Sequence, residues 1–235
     1  MFSRSIALLG EESMAQLQSK RVILFGIGGV GSWCAEALIR TGLTHLTIVD
    51  GDVVQESNIN RQLPATQETI GQPKVIALCE RLKQINPEAE IKAIYDYYDK
   101  DGKTASETDL CLEQYDYIID AIDNVAAKTD LIIYASRVRG AKVFSSMGAA
   151  MRFDPTQVRV AEFWDVKGDA LARALRERMK KLGVKPYKKV KCVYSLENKP
   201  NPNTSLKGGE PIKGSLMQVT AVFGCTLASL VIKEL

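Results

Sequence analysis

The chain has 235 residues, 46% of them hydrophobic and 25% charged. That is ordinary globular composition, long enough for one large α/β domain with its own core. No apolar run approaches the roughly 18–20 residues that span a bilayer. Acidic residues also interrupt the short apolar stretch at the start, so it is not a signal peptide, and a cytoplasmic protein is expected.

The cysteines are Cys34, Cys79, Cys111, Cys192 and Cys225. Their number is odd and none are spaced as CxxC, which excludes a zinc ribbon and a disulfide framework. Reduced thiols in or near the core are expected. The net charge of +3 hides an asymmetry: residues 1–150 carry 15 Lys+Arg against 20 Asp+Glu, and residues 151–235 carry 16 against 8. The second part therefore offers a basic surface to a polyanion.

In chain order, Arg21–Phe25 reads as a β-branched strand that runs into a glycine loop, with a helix over 32–41. A buried strand follows at 45–50. Residues 74–85 have helical spacing, with Val75, Leu78, Leu82 and Ile85 on one face. Further strands are expected at 91–95, 117–120 and 142–145, with a helix around 128–139. This alternation predicts a Rossmann-like α/β fold, with a mostly parallel sheet between helices. After Asp154-Pro155 the pattern changes to a C-terminal antiparallel extension. It comprises an edge strand at 157–163, a basic amphipathic helix at 169–182, a basic run at 185–191, a strand at 192–196, a loop at 198–214 and an apolar helix at 216–235. The expected organisation is a single domain over 1–235. Residues 1–150 form an ATP-binding core and 151–235 a substrate-side and dimerisation elaboration.

Gly26, Gly28 and Gly31 form GxGxxG between a strand and a helix, with Gly29 and Val30 inside the motif. Such glycines allow close approach to a phosphate at the positive end of a helix. Asp50 ends the second strand 19 residues after Gly31, where an acidic side chain binds ribose hydroxyls. Taken alone, this pattern suits a dinucleotide as well as ATP.

The polar set that follows favours ATP. It comprises Asp52, Ser57, Asn58, Arg61, Gln62, Lys74, Asp123 and Asn124. Arg61 and Lys74 can neutralise β- and γ-phosphate oxygens, and Asn58 can donate to a phosphate. Asp123 follows the fourth strand at the carboxyl edge of the sheet. It can hold Mg²⁺, a hard cation that prefers carboxylate and phosphate oxygens. No GxxxxGK[ST] is present, which excludes a Walker-type loop.

GxGGxG, DxDxVxxSNxxRQ, GxxK and DAxDN together resemble the adenylating domains of the ubiquitin-activating-enzyme-like superfamily. Phe2-Ser3-Arg4, Asp154-Pro155-Thr156-Gln157, Leu175-Arg176-Glu177-Arg178 and Cys192-Val193-Tyr194-Ser195 extend the resemblance to the tRNA threonylcarbamoyladenosine dehydratases. That resemblance implies ATP-dependent cyclisation of threonylcarbamoyladenosine beside the anticodon through an acyl-adenylate. Arg61, Lys74 and Asp123 would be catalytic. Arg4 would reach the γ-phosphate of a partner subunit's ATP, in a homodimer. Arg173, Arg176, Arg178, Lys185, Lys188, Lys189 and Lys191 become the tRNA contacts, with Ser146, Met147, Gly148, Ala149 and Ala150 as the pocket floor. A monovalent cation, K⁺ or Na⁺, and sulfur-transfer partner proteins are left open; DNA and membrane partners are not expected.

Three rival readings remain at this point, one of them a non-catalytic RNA-binding module, which ignores the whole ATP constellation. Adenylation of a ubiquitin-like sulfur carrier would use the same ATP site, but those relatives usually carry the two CxxC pairs that this chain lacks. A sulfur-relay role for Cys192 or Cys225 competes with the expectation that both thiols are buried. An NAD-dependent oxidoreductase explains the glycines and Asp50 and leaves Arg61, Lys74 and Asp123 idle. His45, the one histidine, is expected to be structural.

Overall fold

The computed structural model describes residues 1–197, 206–207, 210–211 and 213–235. Most of the loop expected at 198–214 therefore lies outside the described residues. Strands β1 (Arg21–Phe25), β2 (His45–Val49), β3 (Glu90–Ile94), β4 (Tyr117–Asp120), β5 (Lys142–Ser146), β6 (Val158–Glu162) and β7 (Lys191–Ser195) form one sheet. Their order is β3-β2-β1-β4-β5-β7-β6. Every neighbouring pair is parallel except β6 and β7, so the antiparallel extension joins the main sheet as its edge.

The helices are α1 (Ser3–Leu9), α2 (Glu11–Ser19), α3 (Gly31–Thr41), α4 (Lys74–Ile85), α5 (Val125–Ala135), α6 (Ala170–Leu182) and α7 (Met217–Ile232). Side chains alternate across a strand, and β1 shows the result. Val22 and Leu24 join the core made with α3, α4 and α7. Ile23 and Phe25 join the core made with α5 and α6. With apolar residues on both faces, the inner strands read as continuous runs.

Helix α5 runs over 125–135, earlier than the expected 128–139. Asn124 caps its N-terminus by accepting from Ala126 N–H and Ala127 N–H at 2.9 and 3.1 Å. The short helices α1 and α2 were not foreseen. Among the described residues no helix is long and apolar enough to cross a membrane.

The chain goes from β1 to β2 on one side and comes back to β4 on the other. The order thus reverses between β1 and β4, and ligands in open α/β sheets sit beyond the carboxyl ends of strands at such a point. Helix α7 supports this place from behind. A Cβ on its Gly224 would lie 2.5 Å from the Val30 carbonyl oxygen, so only a glycine lets the helix approach this closely.

Candidate active site

The glycine loop leaves β1 through Gly26, whose φ of +84° favours glycine. A Cβ there would meet the Ala121 carbonyl oxygen at 2.6 Å, and one on Gly31 would meet the Gly26 oxygen at 1.9 Å. The loop is thus pressed between β4 and the first turn of α3. Ile27 N–H donates to Asp50 Oδ2 at 2.6 Å, and Asp52 N–H to Asp50 Oδ1 at 2.8 Å. Burial pushes the Asp50 carboxyl above its ordinary range, opposed in part by Lys74. Asp50 therefore braces the loop, and an ionised carboxylate accepting two bonds has lone pairs left for ribose hydroxyls.

A cavity of about 1420 Å³ opens here, bordered by Gly26, Gly28, Gly29, Asp50, Asp52, Arg61, Gln62, Lys74, Asp123 and Asn124. A single small-molecule pocket occupies roughly 300–1,000 Å³, so this space admits a nucleotide and part of a second substrate. Lys74 Nζ donates to Asp52 Oδ2 at 2.6 Å. Tyr97 Oη donates to Asp52 Oδ1 at 2.7 Å. Burial would raise the Asp52 carboxyl, but these two bonds outweigh it and hold the group below its ordinary range. The same bond pushes the Tyr97 phenol up to about 12.

Arg61 passes over the loop: its Cγ would be 3.3 Å from a Cβ on Gly29. Its Nη1 donates to the Ser57 carbonyl at 2.8 Å and to Asn60 Oδ1 at 2.9 Å. Gln62 is buried beside it, and its Oε1 has no hydrogen-bond partner among the described residues. Asp123 is exposed, and no group of three or more His, Cys, Asp or Glu able to hold a metal exists among the described residues. A cation held by Asp123 would therefore take its other ligands from phosphates and water, the habit of Mg²⁺.

Beneath Asp123 lies a charged pair. Lys128 Nζ sits 2.8 Å from Asp120 Oδ2, both side chains fully buried. Lys128 also donates to the Ile122 carbonyl at 2.9 Å, and Ser145 Oγ donates to Asp120 Oδ2 at 2.7 Å. This network fixes the peptide that precedes Asp123.

Other expected residues lie elsewhere. Asn58 is buried, and its Oδ1 accepts from Gln55 N–H at 3.1 Å, closing a capping box. Asn58 does not border the cavity; neither do Ser57, Gly31 or Arg4. Arg4 is exposed on α1. His45 meets Glu90 Oε2 at 3.0 Å at the far end of β2, a structural contact. Cys192 is buried, and burial pushes its thiol up, which suits an inert core residue. Cys225 is exposed, correcting the expectation of a buried thiol.

The basic set divides. Arg173 and Arg178 border the cavity, as do the residues expected to form its floor, Ser146, Met147, Gly148, Ala149 and Ala150. Lys185 and Lys189 are exposed. Arg176 instead donates to the Phe163 carbonyl at 2.9 Å and lies over that ring. Lys191 pairs with Glu234 at 2.5 Å. Lys188 donates to the carbonyls of Val138 and Ala141, and burial lowers its ammonium.

Sequence reasoning missed Tyr97, Tyr98 and Arg152, all at the cavity. The two tyrosines follow β3 at the carboxyl edge of the sheet, the one signal that could have found them. A sequence model described as the ThiF family matches residues 2–235. A tRNA threonylcarbamoyladenosine dehydratase of Bacillus subtilis (strain 168) is 37% identical over 202 residues, covering 84% of this chain and 75% of the relative. The crystal structure of the E. coli tRNA N6-threonylcarbamoyladenosine dehydratase in complex with ATP matches with a TM-score of 0.85 at 34% identity. It covers 99% of this chain and 92% of that one. The same protein in complex with AMP gives a TM-score of 0.86 at 35% identity, covering 99% and 93%.

Proposed function

The chain belongs to the ThiF family, and from that premise we propose that it is an adenylating, tRNA-modifying enzyme. It uses ATP to activate the carboxylate of threonylcarbamoyladenosine in tRNA and closes that group into a ring, with net loss of one water. The observation that carries this reading is one continuous cavity. It is bordered both by the glycine loop, Arg61, Lys74 and Asp123 and by residues 146–150, Arg173 and Arg178. In this reading residues 1–150 supply the ATP site together with the 146–150 floor, and 151–235 supply the basic groups on the tRNA side.

A carboxylate has an ordinary pKa near ~4, is ionised at pH 7 and needs no general base. The barrier is the approach of one anion to another, so catalysis is positioning and charge neutralisation. The carboxylate oxygen attacks the α-phosphate of ATP and pyrophosphate leaves. The acyl-adenylate is then attacked from within the carbamoyl group, which expels AMP and closes the ring. Arg61 and Lys74 balance phosphate charge. Lys74 is held in reserve by Asp52, which Tyr97 also binds, until phosphates compete for it. Asp123 would hold Mg²⁺, which supplies further charge neutralisation on the triphosphate. No part of this reading requires K⁺ or Na⁺.

Arg4 stands exposed on α1, as a residue that serves a partner subunit's site must, and a homodimer is part of this reading. A cytoplasmic location and an accessible Cys225 for sulfur-transfer partners also belong to it. The deciding experiment incubates the protein with ATP, Mg²⁺ and tRNA bearing threonylcarbamoyladenosine. Mass spectrometry of the nucleosides should show loss of one water with release of AMP and pyrophosphate. An unchanged nucleoside overturns the reading, and adenylation of a carrier-protein C-terminus in its place selects the sulfur-carrier alternative.

A further inference from the structure

Arg152 stands at the end of the cavity floor, between the 146–150 segment and the edge strand β6. It borders the cavity, yet its side chain is only 11% exposed. A guanidinium so placed normally spends all its donors, because an unpaired buried donor is costly. Arg152 does not. Its Nε has no hydrogen-bond partner among the described residues. Its Nη2 makes only a long hydrogen bond to the Gly168 carbonyl at 3.4 Å and an ion pair with Asp169 Oδ2 at 3.7 Å, the second beyond hydrogen-bond range.

The surroundings explain why it stays there. Asp169 is fully buried and already engaged: it accepts from Ala172 N–H at 2.8 Å, capping α6, and from Gly148 N–H at 3.1 Å, fixing the floor. Its negative charge retains the guanidinium nearby without consuming its fork. The preceding residue, Met151, has φ of +62°, a conformation rare for non-glycine residues, and its N–H donates to the Gly214 carbonyl at 2.8 Å. This bend delivers Arg152 to the cavity. Arg173, Arg178 and Lys213 border the same space.

We infer that Arg152 is the specificity residue for the reacting carboxylate, gripping the threonyl carboxylate of the modified adenosine with its guanidinium fork. Planar, two-point recognition of a carboxylate is what arginine provides and lysine does not. The carboxylate distinguishes modified from unmodified tRNA, so the residue that binds it sets that distinction. The inference rests on the dehydratase reading above.

The test compares binding of two tRNAs, one bearing threonylcarbamoyladenosine and one with plain adenosine, by the wild type, Arg152→Met and Arg152→Lys, with ATP affinity and melting temperature measured beside it. The wild type should prefer the modified tRNA. Arg152→Met should bind it about 10- to 100-fold more weakly, bind the plain tRNA as before and keep its ATP affinity. Arg152→Lys should recover only part of the loss. A tRNA whose threonyl carboxylate is converted to the amide, given to the wild type, should lose as much as Arg152→Met does, a readout independent of any variant's folding. Equal losses on both tRNAs would mark a backbone-phosphate contact and overturn the inference. So would an undiminished preference in Arg152→Met or an amide bound as tightly as the carboxylate. A wild type blind to the modification would overturn the dehydratase reading as well, whereas a selective wild type with an equally selective Arg152→Met overturns only this one.

Discussion

Lys128 and Asp120 face each other across 2.8 Å with no exposed side-chain surface on either. The pair joins the first turns of α5 to the end of β4. Removing one partner strands the other charge in the core, a loss of about 3–5 kcal/mol. Lys128→Met should lower stability by that amount in urea unfolding. Because Lys128 also holds the Ile122 carbonyl, the surviving folded protein should need more Mg²⁺ for activity. A variant as stable as the wild type would show that the pair is dispensable.

Asp123 behaves oppositely, since it is exposed. Asp123→Asn should leave the unfolding free energy within about 0.5 kcal/mol of the wild type. Adenylate formation, followed by AMP release, should fall by about 100-fold or more, the loss typical of removing one preorganised electrostatic contact. Near-normal turnover would remove Asp123 from the proposed site.

Glu36 joins α3 to α4 by accepting from Arg81 Nε at 2.6 Å and from Arg40 Nε at 2.8 Å. Burial would raise its carboxyl, but these guanidinium contacts prevail and hold it below the ordinary range. The folded state therefore keeps this group ionised at a pH where the unfolded chain takes up a proton. The resulting stability is fully present above the ordinary glutamate range and is lost as pH falls through the lower folded value. Glu36→Gln should cost about 1.5–3 kcal/mol at pH 7, and the difference from wild type should shrink below pH 4.3, the ordinary glutamate value of about 4.3. A difference independent of pH would mean packing, not charge, is lost.

The basic segment should split under mutation. Lys185→Ala with Lys189→Ala removes two exposed charges. It should weaken tRNA binding and reduce the slope of log affinity against log salt by about 2, with little change in melting temperature. Lys188→Ala should instead lower the melting temperature, because it leaves the carbonyls of Val138 and Ala141 without their donor. Equivalent effects from all three lysines would refute this division.

The sheet was readable because its inner strands are short apolar runs separated by helical spacing, and Lys74–Ile85 was located to the residue. Helix α5 was misplaced because its start depends on the Asn124 cap, whose spacing resembles any Asx turn. The roles of Asn58, Arg176 and Lys188 were hidden for another reason. Composition counts charges and amides without revealing which are tied to carbonyls and capping boxes. Arg152 was invisible because its meaning comes from burial beside Asp169, which lies beyond β6 in the chain.

Gly224 has a last consequence. Val30 and Gly224 lie far apart in the chain, yet loop and helix meet with room for no more than a hydrogen on Gly224. Such distant pairings form late and slowly. Until α7 docks, Val30 lacks its backing, so the phosphate loop should reach its nucleotide-gripping shape late in folding.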